Sequence, residues 1–173
     1  MRSDVFRRLR KNGPVVLVPL AWTFVTAAHL GAVSPRTLLA AHVVMNAVFA
    51  LFSAASWSEM RTGVLYAWRL VLVAGLGVTL VGTAALALGR PDAPAVAVTL
   101  AAWMLLPAAA FVYTARNVTE APAMYHAAAA LSVLGWAAYF CGSLLLGEEA
   151  TLAGLVLVAV GQTAGIANAV YQY

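Results

Sequence analysis

The sequence predicts an all-α protein, a polytopic membrane bundle of six transmembrane helices. The 173-residue chain is 64% hydrophobic and only 9% charged, whereas a soluble domain carries about 25% charged residues. Its mean hydropathy is +0.90. Six apolar stretches also reach the length of about 20 residues that a helix needs to cross about 30 Å of hydrocarbon. Too few polar side chains are present to cover a soluble fold.

Short connectors with turn residues and charges separate the six predicted spans. The span ranges are 14–33, 37–58, 64–89, 93–115, 121–146 and 150–171. Ser34 before Pro35 is typical of a helix start, because a side-chain oxygen caps free backbone N–H groups and an early proline loses no hydrogen bond. We expect a tight helical hairpin at every connector. A basic cytoplasmic tail over 1–13 precedes one six-helix transmembrane domain over 14–173.

Basic residues predict the orientation of the bundle. When six spans alternate in direction, only Arg36 and Arg90 fall on the side away from the termini, and the other eight lysines and arginines fall on the terminal side. Cytoplasmic connectors carry such an excess, so both termini are predicted to be cytoplasmic. Abundant alanine and scarce lysine are typical of a GC-rich prokaryotic genome, so the predicted location is the plasma membrane of a prokaryote. Arg69, one turn inside the third span, is expected to extend toward the headgroups.

The net charge of +4 is interpreted as part of this orientation and as attraction to anionic lipid. A nucleic-acid surface is not predicted, because it would need basic residues outside the first dozen positions. The lipid bilayer is therefore the expected partner, together with a second copy of the chain or a partner membrane subunit.

Polar and aromatic side chains recur at helical spacing, which places them in stripes. In lipid such stripes face a partner or a cavity. The stripes of the second and fifth spans are richer in histidine, asparagine and aromatic residues than packing requires. We expect a small polar cavity lined by His42, Asn46, Tyr125, His126, Trp136, Tyr139, Gln162 and Asn168. Gly161 and Gly165 form a small-xxx-small pair and are predicted to pack against another helix.

Weak similarity between the halves of the chain predicts a 3+3 inverted repeat. His42 and His126 both lie about five residues after the start of their spans, and Trp22 and Trp103 precede them at similar distances. Two halves of three spans have opposite orientation, as in many transporters.

A second hypothesis for the site concerns His29 and His42. Both lie about 6 to 8 Å below the same membrane boundary at a rise of ~1.5 Å per residue. Adjacent antiparallel helices would bring the two imidazoles to one level, where they could bind haem iron or a transition metal. The alternative is that each histidine forms a structural hydrogen bond.

The absence of certain residue types and motifs from the spans reduces the number of functions that the sequence allows. The only lysine is Lys11, no acidic residue lies in the middle of a span, and no HExxH, CxxC, Walker or GxSxG motif occurs. The leading prediction is a transporter or channel for a small neutral or weakly polar solute, without a cofactor. The alternatives are a haem- or metal-binding redox module at His29 and His42, and a non-catalytic subunit or assembly factor of a membrane complex. An enzyme that acts on lipids is the least favoured.

Overall fold

A computed structural model describes residues 2–142 and 147–172 of the chain, with side chains from Gly13 onward. Within these residues the structure is helical and contains no strand. The helices are α1 (Arg2–His29), α2 (Pro35–Ser56), α3 (Gly63–Ala87), α4 (Pro94–Asn117), α5 (Pro122–Ala137) and α6 (Glu148–Gln172). Helix α5 continues as a π-helical turn, Ala138–Gly142. The predicted class, an all-α bundle of six helices with membrane-spanning length in five of them, is confirmed.

Five helices are long and apolar enough to cross a membrane, namely α2, α3, α4, α6 and α5 together with its π-helical turn. The apolar part of α1, Gly13–His29, has 17 residues, and a helix of that length is about 25 Å long. Helix α1 begins at Arg2, so the range predicted as a tail is also helical. Residues 143–146, which end the predicted fifth span, lie outside the described residues, as do Met1 and Tyr173.

Local sequence explains where the helices begin and end. The Ser34 hydroxyl accepts a hydrogen bond of 3.1 Å from the Thr37 backbone N–H, which confirms the predicted start of α2. Helix α3 ends at Ala87 and is followed by Gly89, whose φ of +70° suits a residue without a Cβ. The Arg90 N–H then donates to the Ala85 carbonyl at 3.0 Å, as in a Schellman motif.

The helices pack in an order that differs from the order of the chain. Helix α2 packs on α3, α3 on α4, α4 on α5, and α5 on α6, whereas α1 packs on α6. The expected tight hairpin is therefore wrong for the first connector. The reason is that Trp22 of α1 finds its hydrogen-bond partner on α6, while Asn46 of α2 finds its partner on α3.

This order also makes the two halves of the chain unlike each other. Helix α4 packs closely on α5, but the corresponding helices of the first half, α1 and α2, share no comparable interface. The packing therefore gives the predicted inverted repeat no support.

Glycines allow α5 and α6 to approach each other closely. A Cβ added at Gly154 would lie 2.6 Å from the Gly135 carbonyl oxygen and 2.7 Å from the Tyr139 nitrogen. The pair singled out from the sequence lies in the same region: a Cβ at Gly161 would meet Leu131 of α5, and a Cβ at Gly165 would meet Phe111 of α4. Backbones that approach this closely gain packing contacts that lipid does not offer.

We expect Gly154→Val to destabilise the bundle by about 1–3 kcal/mol, because the added methyl groups would force α5 and α6 apart. Gly77→Val is the matched control, since nothing lies within 4 Å of a Cβ built at Gly77. Thermal unfolding in detergent micelles measures the difference. Equal midpoints for the two variants would contradict this account of the α5–α6 contact.

Candidate functional site

Hydrogen bonds made by side chains connect α1, α6 and α4 in the interior of the bundle. Trp22 of α1 is 5% exposed, and its indole Nε1 donates to Gln162 Oε1 of α6 at 3.1 Å. The Gln162 Nε2 in turn donates to the Trp103 carbonyl oxygen of α4 at 2.9 Å. The oxygen and the nitrogen of this buried amide therefore both have hydrogen-bond partners, which hydrocarbon cannot supply.

The same chain of contacts continues through α3 to α2. The Trp103 indole Nε1 donates to Thr79 Oγ1 at 2.8 Å, and Thr83 Oγ1 donates to the Thr79 carbonyl oxygen at 2.6 Å. Asn46 Nδ2 of α2 then donates to Thr83 Oγ1 at 2.8 Å. We call this series the polar relay; its members are Trp22, Gln162, Trp103, Thr79, Thr83 and Asn46. It joins every helix except α5.

The Trp103 side chain is held between α2 and α3. A Cβ at Gly75 would overlap the indole ring, so glycine makes room for it on α3. On the α2 side the Trp103 ring stacks on Phe49, with centroids 4.5 Å apart and an interplanar angle of 23°. Asn46, one turn before Phe49, has a buried Oδ1 atom that no described residue pairs with.

Two other predicted lining residues, Tyr125 and Asn168, meet at the end of the bundle that carries the termini. Tyr125 is 1% exposed and packs with Phe111 in the α4–α5 core. Its hydroxyl lies near Asn168 of α6. The geometry does not reach that of a hydrogen bond, because the Tyr125 hydroxyl and Asn168 Nδ2 both remain buried without a partner among the described residues.

Trp136 and Tyr139 lie toward the opposite end. They pack against the buried cluster that contains Trp22, Met104 and other residues of α1, α4 and α6. The Tyr139 hydroxyl lies 3.4 Å from His29 Nδ1, and the two rings meet edge to face with centroids 5.5 Å apart.

The remaining two predicted lining residues are histidines that form no hydrogen bond with the relay. His42 Nδ1 lies 3.0 Å from the Leu38 carbonyl of its own helix, and His126 is exposed on the surface of the bundle. His126 follows Tyr125 directly, and one residue corresponds to a rotation of about 100° around a helix. Because Tyr125 faces the core, His126 faces outward.

Of the eight predicted lining residues, the structure therefore places only Asn46 and Gln162 in the polar relay. The stripe of α5 runs along the whole span, so its members lie at different depths. The sequence analysis missed Thr83, although Gly75, Thr79 and Thr83 are spaced by four residues, which places them on one helical face.

His29 and His42 belong to helices with different neighbours, since α1 packs on α6 and α2 packs on α3. His29 contacts Tyr139, and His42 contacts its own helix. Among the described residues, no group of three or more histidine, cysteine or carboxylate side chains could hold a metal ion.

A shallow groove of about 400 Å³ lies between α1 and α6. Leu30 and Val160 are among the side chains that line it, and Trp22 forms its inner wall. Its lining includes none of the eight residues predicted for the polar cavity.

The helices and the polar relay together define a multi-pass helical membrane protein. Comparison of the chain with protein-family models, with curated proteins and with solved structures gives no match. The functional conclusion therefore depends on the site alone.

We expect Gln162→Leu to destabilise the bundle by about 1–2 kcal/mol, because the Trp22 indole and the Trp103 carbonyl would both lose a partner. Gln172→Leu removes an amide that is exposed near the end of α6 and serves as the control. Thermal unfolding in detergent compares them. If the two variants unfold at the same temperature, the relay does not stabilise the fold.

Proposed function

We propose that this protein is a transporter or channel for a small neutral or weakly polar solute, and that Asn46 contacts the solute. We further propose that it lies in the cytoplasmic membrane of a prokaryote with both termini inside. The excess of basic residues on the terminal side supports this orientation.

The unpaired Oδ1 atom of Asn46 is the observation that carries the proposal. Leaving a buried acceptor without a hydrogen bond costs about 1–3 kcal/mol, so such atoms are rare in folded proteins. Asn46 lies near the middle of α2, far from both helix ends. A solute with an N–H or O–H group would satisfy this acceptor at a depth where water and headgroups do not reach.

Helix α2 is the element whose movement would admit the solute. In an apolar stretch of 18 residues of α2 only 6% of the residues are buried in the bundle, compared with 44% in the corresponding stretch of α6. Its side-chain contacts with the rest of the bundle include the Asn46–Thr83 hydrogen bond and the stack of Phe49 on Trp103. Breaking this hydrogen bond costs little, because one hydrogen bond between membrane helices contributes only about 1 kcal/mol.

Movement of α2 away from α3 would expose one polar and one aromatic surface to the solute. The Asn46 amide would present both a donor and an acceptor, and the Trp103 and Phe49 rings would present flat apolar faces. No charged group is needed, which agrees with a neutral solute. In this mechanism Thr83 acts as a latch that pairs with Asn46 in the closed state.

The test uses proteoliposomes and stopped-flow light scattering after an osmotic step with glycerol or urea. Vesicles with the native protein should relax faster than empty vesicles. Asn46→Leu should lower the protein-dependent rate by roughly fivefold or more, which corresponds to the loss of about 1 kcal/mol of contact with the solute.

Two control variants separate transport from folding. Asn117→Leu changes an exposed asparagine at the end of α4 and should leave the rate unchanged. Thr83→Val removes the same internal hydrogen bond as Asn46→Leu but keeps the Asn46 amide, so the rate should stay at least as high as in the native protein. An equal loss of rate in Thr83→Val and Asn46→Leu would contradict direct contact with the solute, as would native vesicles that relax no faster than empty ones.

A second candidate function is that of a subunit in a membrane complex, and the exposure of α2 favours it. A helix with so little buried surface could pack against a second copy of the chain or against a partner subunit.

Native mass spectrometry of the protein in lipid nanodiscs distinguishes the two candidates. A complex predicts masses at multiples of 18.0 kDa or a co-purifying partner. In that case Val44→Trp, which places a bulky side chain on the exposed face of α2, should reduce the assembled fraction. A uniform species of 18.0 kDa would remove the subunit hypothesis.

A further inference from the structure

A cluster of one arginine and two aromatic residues lies where α2 ends and α3 begins. Trp57 is the residue at which α2 ends, and Tyr66 and Arg69 lie in the first two turns of α3. The Arg69 guanidinium carbon lies 4.4 Å from the centre of the Trp57 ring and 4.9 Å from the centre of the Tyr66 ring. We call these three residues the arginine cage.

The two rings hold the guanidinium group without using its hydrogen-bond donors. Aromatic faces attract a cation through their negative electrostatic potential. The five N–H groups of arginine point outward in the guanidinium plane and require acceptor oxygens. The contacts that locate the guanidinium are these two ring contacts, and neither ring offers it an acceptor oxygen in the guanidinium plane.

The position of the cage indicates that the acceptor oxygens come from the lipid headgroups. Arg69 lies six residues after Gly63, the first residue of α3, or about 9 Å along the helix. Its side chain extends back toward the helix start, where Trp57 lies, as expected from the tilt of the Cα–Cβ bond. Trp57 and Tyr66 are 49% and 41% exposed, so the cage opens outward at the level where aromatic residues meet headgroups.

Phosphate is the group whose geometry fits this arrangement. A planar guanidinium binds two phosphate oxygens at once through two parallel charge-assisted hydrogen bonds. The connector before α3 carries one exposed cation, Arg61, and one exposed carboxylate, Glu59, so Arg69 supplies the net positive charge of this segment. A zwitterionic headgroup would bring its own cation close to these charges, whereas an anionic headgroup would not.

We propose that the arginine cage is a binding site for the phosphate group of an anionic phospholipid. Arg69 binds the phosphate oxygens, and the Trp57 and Tyr66 rings keep the guanidinium in a fixed position. The ligand chemistry, a phosphate oxyanion, is shared by lipid headgroups and by free phosphate. The proposal does not depend on the proposed transport function.

The experiment measures thermal unfolding of the full chain in detergent micelles that are titrated with phosphatidylglycerol, phosphatidylcholine or inorganic phosphate. Phosphatidylglycerol should raise the midpoint in a saturable way, and the other two should not. Native mass spectrometry should show phosphatidylglycerol retained on the protein. A shift of equal size with phosphatidylcholine would overturn the proposal, and a shift with inorganic phosphate alone would overturn the assignment to lipid.

Variants of the cage locate the binding. Arg69→Gln should raise the apparent dissociation constant for phosphatidylglycerol roughly tenfold or more, because it removes the charge and the two-pronged contact. Arg69→Lys should rescue only part of the affinity, since an ammonium group cannot bind two oxygens in one plane. The control Arg90→Gln changes an exposed arginine in the α3–α4 connector at the other end and should bind like the native protein.

A further variant distinguishes a loss of lipid binding from misfolding. Trp57→Leu removes a half-exposed ring outside the packed core and should weaken binding while the protein stays folded. Unchanged affinity in both Arg69→Gln and Trp57→Leu would show that phosphatidylglycerol binds elsewhere.

Discussion

Hydrocarbon offers no hydrogen-bond partner, and the polar relay is the way in which this bundle meets that constraint. Gln162 is central to it, because one amide pairs with the Trp22 indole on one side and with the Trp103 carbonyl on the other. The interaction explains why α1 lies against α6 instead of against its neighbour in sequence. The close packing of α5 on α6 depends on a different device, the glycines that let the two backbones approach.

The helices of the bundle differ in how much of their surface is buried. Helices α4, α5 and α6 form a packed core, with fully buried Phe111, Met104 and Leu155. Helix α2 is attached at one side through Asn46 and Phe49. The proposed transport mechanism depends on this difference between a packed core and a helix with little buried surface. The arginine cage, the proposed phosphate site, lies at the end of this same helix.

Composition and spacing were enough to predict the helical bundle and the ends of most of its helices. The physical reason is that hydrocarbon thickness sets span length and that caps such as Ser34 act within a few residues. The spacing also placed Asn46 in the polar stripe of α2 and Gln162 next to the stripe of α6. It could not show which helix each one meets, because the partners Thr83, Trp22 and Trp103 are distant in the chain.

The sequence by itself therefore determined that this is a helical membrane protein whose spans carry amides, hydroxyls, indoles and imidazoles, with the charges in connectors and near helix ends. Only the tertiary structure decided that the eight expected lining residues fall into separate groups, that α1 does not pack as a hairpin with α2, and that His126 faces outward. Periodicity reports the face of a helix but neither its depth nor its neighbour. Those two properties arise from contacts between helices, where the pairing of polar groups and the fit of small residues select one arrangement.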